Sequence, residues 1–395
     1  MDNLPLDGIR VVEMSHMVMG PTCGLILGQL GAEVIKVEPL YGDKTRSLGG
    51  MGVSFFPIFN RGKKSVAFNL KTEKGHEALM RLLATADVFI ENFKDETISL
   101  LGLDSGSLVK KFPGLIIGAH KGFLSGPYEH RPALDEVVQM MSGLAYMTGL
   151  KDRPLRVGSS MNDIMGGIFG VVGILAALIA KQQSGKGKEI RIGLFENSLF
   201  SVAQHMVQYE MTGIAPPPMS ERVHAWPIYD IFKTADNQRI FIGVTTEGNW
   251  QAFCKAFGFQ NFLCDTGLQT VTDRINARSR TLPFIAARMK LENIVTLEKT
   301  LDQLSIPFSK INTPKDMFDD PHVLRPGGLV TMETPDGTTL KTPSLPMEID
   351  RQTVVNGVKI PALGEHTEMV LADLGYNKSE IIEITKQSDI QTRKE

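Results

Sequence analysis

The sequence predicts an α/β protein, with a Rossmann-like large domain built from both ends of the chain and a smaller α/β domain between them. Three observations carry this. The first 120 residues alternate short β-rich runs with helical patterns, as a parallel sheet covered by helices requires. The run Ala215-Pro216-Pro217-Pro218 breaks the pattern, and beyond it the chain turns to a hairpin and Phe- and Leu-rich helices. At 395 residues the chain also exceeds what one hydrophobic core supports. The expected boundaries are 1–212 with 325–395 for the large domain and 213–324 for the small one.

Four strands are predicted at 8–13, 33–38, 87–91 and 115–118. Helices at 21–30 and 73–86 separate them, the second with Ala78, Leu79, Leu82, Leu83 and Ala86 at helical spacing. The uncharged run 164–180 carries Gly166, Gly167, Gly170 and Gly173 and ends in a cation- and glycine-rich stop. It falls just short of a membrane span and reads as a packed interior helix. A strand at 188–195 and a helix at 196–211 follow. The hairpin pairs 228–233 with 239–243 around Ala235-Asp236-Asn237-Gln238. Late strands at 328–334 and 338–341 lead to a last helix at 368–374, returning to the large domain, and the polar end 387–395 is expected to fray.

A net charge of −2 with 22% charged residues offers no basic face for nucleic acid. Cys23, Cys254 and Cys264 have no metal-ligand spacing, so they read as thiols in a reducing cytoplasm, and no metal site is expected. The N-terminus lacks the basic start and apolar core of a secretory signal. A nicotinamide enzyme is the first rival, because the second strand ends in an acid, Glu38. However, the stretch from Met14 to Gly24 lacks the G-x-G-x-x-G that brings backbone to a pyrophosphate.

Asp163 follows Val157-Gly158-Ser159-Ser160-Met161-Asn162 and directly precedes the apolar run. A carboxylate at the mouth of a buried helix is costly to desolvate. Helix capping is the commoner reason for such an Asp, and catalysis the alternative.

Several strings carry a family resemblance: Leu6-Asp7-Gly8-Ile9-Arg10-Val11-Val12, Gly31-Ala32-Glu33-Val34-Ile35-Lys36-Val37-Glu38-Pro39, Gly42-Asp43-Lys44-Thr45-Arg46, Asn60-Arg61-Gly62-Lys63-Lys64-Ser65, Ala86-Asp87-Val88-Phe89-Ile90-Glu91-Asn92-Phe93 and Leu363-Gly364-Glu365-His366-Thr367. In order, over residues from about 4 to 375, the chain resembles the class III CoA-transferases, a family that includes formyl-CoA transferase, carnitine CoA-transferase and the α-methylacyl-CoA racemase branch.

The resemblance implies an interlocked, ring-like homodimer with no permanently bound cofactor, acting on coenzyme A thioesters and small carboxylates. It implies that Asp163 is the nucleophile, passing through aspartyl anhydrides and an aspartyl-CoA thioester, with Asp135, Gly166 and Gly167 in support. It places CoA against His16, Met17 and Val18; Phe68, Asn69, Leu70 and Lys71; Asn92, Phe93 and Lys94; and Arg131, Pro132, Ala133 and Leu134. Lys71, Arg131, Arg46 and Lys63 are the phosphate candidates, since Pro39 and Leu100 stand where the family has arginines. The glycine run that forms the family's lid is absent between His224 and Asp236. Arg222, His224 and Tyr229 are candidates for the acceptor acid, and succinyl-CoA or acetyl-CoA for the donor. A racemase reading fails because Leu134, at the position of the racemase histidine, carries no proton. A non-catalytic CoA-binding protein is the third reading.

Overall fold

The computed structural model describes residues 4–222 and 224–386, so the 387–395 tail lies outside the described residues. These fall into two compact units, Met1–Ser220 with Leu324–Glu395 and Glu221–Val323. The first break therefore comes after the proline run rather than before it.

The first unit is built on six strands: β1 Arg10–Met14, β2 Glu33–Glu38, β3 Lys64–Ala67, β4 Val88–Glu91, β5 Ile116–Lys121 and β6 Glu189–Gly193. Their order is β3-β2-β1-β4-β5-β6, every pair parallel. The β-branched and aromatic runs bury both faces, as a sheet covered on two sides requires. Val12, Ile35, Phe89 and Ile117 point to one core with Leu79, Leu82 and Leu83 of helix α2, Glu73–Ala84. Val11, Val34, Ile90 and Ile116 point to the other with α1, Met19–Gln29. The alternation along each strand assigns the two faces.

Strand β3 was not predicted. It is four residues long and begins with Lys64, paired to Glu33 on β2, so its sequence lacks an apolar run. Helix Thr367–Asp373 occupies the predicted last position, but a further helix, Lys378–Thr385, follows. Asn377 and Glu380 form its capping box, a start signal present in the sequence. Leu371, Ile381 and Ile384 enter the core with α2, so the chain returns to its own N-terminal sheet.

Three further helices position the site: α3 Asp135–Ser142, α4 Met161–Ser184 and α5 Leu194–Thr212. The α4 glycines are packing sites. A Cβ on Gly166 would lie 2.5 Å from Met19 Cε, on Gly167 2.6 Å from Thr22 Cβ, and on Gly173 2.5 Å from Ile190 Cγ2. They bring α1 and β6 close to the helix axis. Nor is α4 buried all round. Ile168, Phe169, Val172 and Ile179 are exposed, and Phe169 meets Phe200 of α5 edge-on. The helix is long and apolar enough to cross a membrane, but its glycine face is taken by α1 and the sheet.

In the second unit, β7 Ile228–Lys233, β8 Arg239–Val244 and β9 Phe308–Lys310 form an antiparallel sheet. Its core is aromatic, with Trp250, Phe253, Phe257, Phe259 and Phe262.

Candidate active site

The strand order reverses between β1 and β4, and in open α/β sheets the crevice beyond such a switch point is the ordinary ligand site. A cavity of about 690 Å³ lies there. Asn92, just past β4, holds the backbone of His16, just past β1: its Oδ1 accepts from His16 N–H (3.0 Å) and its Nδ2 donates to His16 O (2.7 Å). Met17 then takes φ +63°, a left-handed conformation costing a non-glycine residue roughly 1–2 kcal/mol. Backbone strain of this kind is retained where a ligand loop must be pre-shaped. The His16 ring sits 5.0 Å from that of Phe93.

His16, Met17, Asn92, Phe93, Lys94, Arg131, Pro132, Ala133 and Leu134 all line this cavity. The other CoA candidates do not. Val18 is 1% exposed and packs with Leu25 and Phe59, and Phe68 is fully buried in the α2 core. Leu70 packs against that same core, while Asn69 and Lys71 shape the turn into α2 through Lys71 N–H to Asn69 Oδ1 and Thr72 Oγ1 to Asn69 O.

Two phosphate candidates also lie outside the cavity's lining. Lys63 is buried, its Nζ 2.6 Å from Glu13 Oε2 and 3.0 Å from Pro21 O and Asn60 Oδ1, and burial pushes its pKa down to about 8. Arg46 forks onto Glu38, both contacts 2.7 Å, and lies 3.7 Å over the Phe56 ring. Glu38 is thereby consumed, which also removes the ribose-binding acid of the nicotinamide reading. The cavity wall instead carries Lys44 and His130 beside Lys94 and Arg131. Pro39 is in the wall, whereas Leu100 is 88% exposed and outside it.

Behind the β1–α1 corner, Ile164 of α4 packs against the cluster of Val18, Leu25 and Phe59, and Asp163 is not among the residues that line the cavity. Asp163 is the third residue of α4 and does not cap it. The cap comes from Asp135, whose Oδ2 accepts from the backbone N–H of Asn162 (3.0 Å) and of Asp163 (3.2 Å). Gln139, one turn along α3, donates to Asp135 Oδ1 and accepts from Val157 N–H at 2.9 Å, so α3 holds both the cap and the approaching loop. The spacing of Asp135 and Gln139 was readable, but their target was not.

No hydrogen-bond donor among the described residues holds the Asp163 carboxylate. Burial first, and then the charge of Asp135, push its pKa up to about 7, with Arg156 opposing them. A helix N-terminus favours an ionised carboxylate, and desolvation outweighs that here. An unencumbered carboxylate that ionises near neutrality is equipped for proton transfer or nucleophilic attack.

A family model described as CoA-transferase family III matches residues 6–367. The chain belongs to this family. It is 33% identical to a succinate–glutarate CoA-transferase of Agrobacterium fabrum, covering 94% of this chain and 96% of the relative. It is 30% identical to a succinyl-CoA–D-citramalate CoA-transferase of Chloroflexus aurantiacus, covering 94% of each. The crystal structure of a CAIB/BAIF family protein from Brucella suis superposes with a TM-score of 0.84 at 32% identity, covering 94% of this chain and all of the other.

In this class III CoA-transferase the residue at the racemase histidine position, Leu134, is 66% exposed in the cavity wall and offers no acid or base. The acceptor candidates lie in the transferase's second unit. Arg222 sits 5.5 Å from the Tyr229 ring, which in turn contacts Trp226 and Phe241 at 4.7 Å each. His224 is held below the usual imidazole pKa by burial and by the Arg278 charge.

Proposed function

We propose that the enzyme moves CoA from an acyl-CoA donor of the succinyl-CoA type to a small dicarboxylic acid, with Asp163 as nucleophile. The observation carrying this is the part-buried Asp163 carboxylate, free of hydrogen-bond donors, on a helix capped by another residue. The relatives named above act on four- and five-carbon dicarboxylates or their CoA esters, which supports the substrate class.

The chemistry follows from the carboxylate. Ionised Asp163 attacks the donor thioester carbonyl, expelling CoA thiolate and forming a mixed anhydride. The thiolate attacks the aspartyl carbonyl, releasing the donor acid and leaving an aspartyl-CoA thioester. The acceptor carboxylate attacks that thioester, and the freed thiolate then takes the acceptor acyl group, restoring Asp163. CoA is assigned to the 690 Å³ cavity, with Lys44, Lys94 and Arg131 as phosphate partners.

Hydroxylamine added during incubation with succinyl-CoA tests the nucleophile. A hydroxamate on the peptide holding Asp163, and its absence without the thioester, is the expected result; modification elsewhere overturns the assignment. The exposed apolar residues of α4 and α5, including Val172, Phe200, Met206 and Val207, are assigned to a second copy of the chain in a cytoplasmic homodimer. Light scattering at twice the chain mass is expected, and a monomer at assay concentration would refute that assignment.

A further inference from the structure

Arg156 is not accounted for by the chemistry above, yet it is wired into the segment that delivers Asp163. Its Nε donates to Val157 O at 3.1 Å and its Nη2 to Ser159 O at 2.9 Å, carbonyls six and four residues before the carboxylate. The same Nη2 lies 3.7 Å from Asp135 Oδ1, on the carboxylate whose other oxygen caps α4. Nη1 lies 3.9 Å from Glu136 Oε2, an exposed acid. A single guanidinium therefore braces the loop and stands beside the cap.

We propose that Arg156 is a positioning residue for the transfer reaction: it fixes the 157–160 loop that leads to Asp163 and sets its positive charge beside the cap of α4. The inference rests on the reading of Asp163 as nucleophile. The surroundings of Asp163 leave this task to few groups. Asp135 of α3, which accepts from the Asp163 N–H, carries the same charge, and Arg156 of the loop, 3.7 Å from that carboxylate, carries the opposite one. The first turns of α4 otherwise meet Met19 and Thr22 of α1 and Asn197 of α5, all uncharged. Cys23 and His120 lie further along, at Gly170, and burial pushes the thiol up and the imidazole down to about 4. The direction of each influence agrees with the geometry: burial and Asp135 raise the Asp163 pKa, while Arg156 lowers it.

The test is the pH profile of kcat/KM for the full-length enzyme with succinyl-CoA, from about pH 5.5 to 9, in wild type, Arg156→Met and Arg156→Lys. The wild-type acid limb is expected near pH 7. Arg156→Met is expected to move it up by about one unit, lowering activity roughly tenfold near pH 6.5 and recovering toward wild type near pH 9. Arg156→Lys keeps most of the wild-type midpoint. A uniform loss at every pH with an unmoved midpoint shows a merely structural role and overturns the proposal, as does an unchanged profile. Hydroxylamine trapping in the wild type separates the two readings. If Asp163 is labelled but the midpoint does not move, the Arg156 inference fails alone; if Asp163 is never labelled, the nucleophile reading fails first.

Discussion

Asp163→Ala is expected to abolish CoA transfer, with turnover falling by about 10⁴-fold or more, because no other group in the proposed reaction can carry the acyl and CoA intermediates. The fold is expected to survive. The N–H groups at the start of α4 are satisfied by Asp135 Oδ2, so removing the Asp163 carboxyl takes no cap away. The variant should even be more stable at alkaline pH. The folded-state pKa of Asp163, about 7, lies above the ordinary value of 3.8, so folding favours the neutral acid. Its ionised form therefore costs stability, fully above pH 7 and not at all below about pH 4. With the carboxyl part-exposed, removing that cost is expected to gain on the order of 1–3 kcal/mol at pH 8, a rise in Tm of a few degrees. The gain should shrink as pH falls from 7 toward 4. Thermal unfolding of both proteins across this range, with turnover measured alongside, checks the prediction. Residual turnover near the wild-type rate would remove Asp163 from the mechanism, and a loss of Tm at pH 8 would contradict the electrostatics. The site is in this sense a stability cost kept for reactivity.

Asp163 was conspicuous in the sequence because local pattern alone exposes a lone acid before a long apolar run. Its environment was not legible, because the residues that create it are distant along the chain. The cap comes from Asp135, 28 residues away. The same limit explains Lys63, a phosphate candidate in the sequence, which Glu13, 50 residues earlier, holds in the interior. Phe68 and Val18 are among the CoA positions that the family resemblance implies, but both face apolar cores. The resemblance, not the strand pattern, named His16, Met17, Asn92, Phe93 and Lys94, and these five line one cavity at the switch point. Strand β3 escaped because its first residue is charged and its remaining three are too few to show alternation.

Glu13→Gln is expected to be the most destabilising conservative change in the first unit, because it leaves buried cations without their counter-charge. Glu13 is fully buried, with Oε1 accepting from Ser15 Oγ at 2.9 Å and from Lys36 Nζ at 3.3 Å, and Oε2 from Lys63 Nζ at 2.6 Å. Gly24 makes room for it: a Cβ there would stand 1.8 Å from Glu13 Oε2. Lys36 keeps a second anion, Asp43, at 3.0 Å, but Lys63 keeps only neutral oxygens. Breaking a buried pair from one side costs roughly 3–5 kcal/mol, measurable by urea unfolding. Lys63→Met should cost less, since its ammonium is already disfavoured and Glu13 retains Lys36. The double variant should recover part of the Glu13→Gln loss, and additive losses would show that the pair is not coupled. The network also reaches the ligand loop. Glu13 holds the Ser15 hydroxyl and Lys36 its carbonyl at 2.7 Å, immediately before His16 and the left-handed Met17. Loosening that anchor at the exit of β1 should raise KM for the CoA thioester more than it lowers kcat, because the corner it shapes lines the cavity while Asp163 is held by α3.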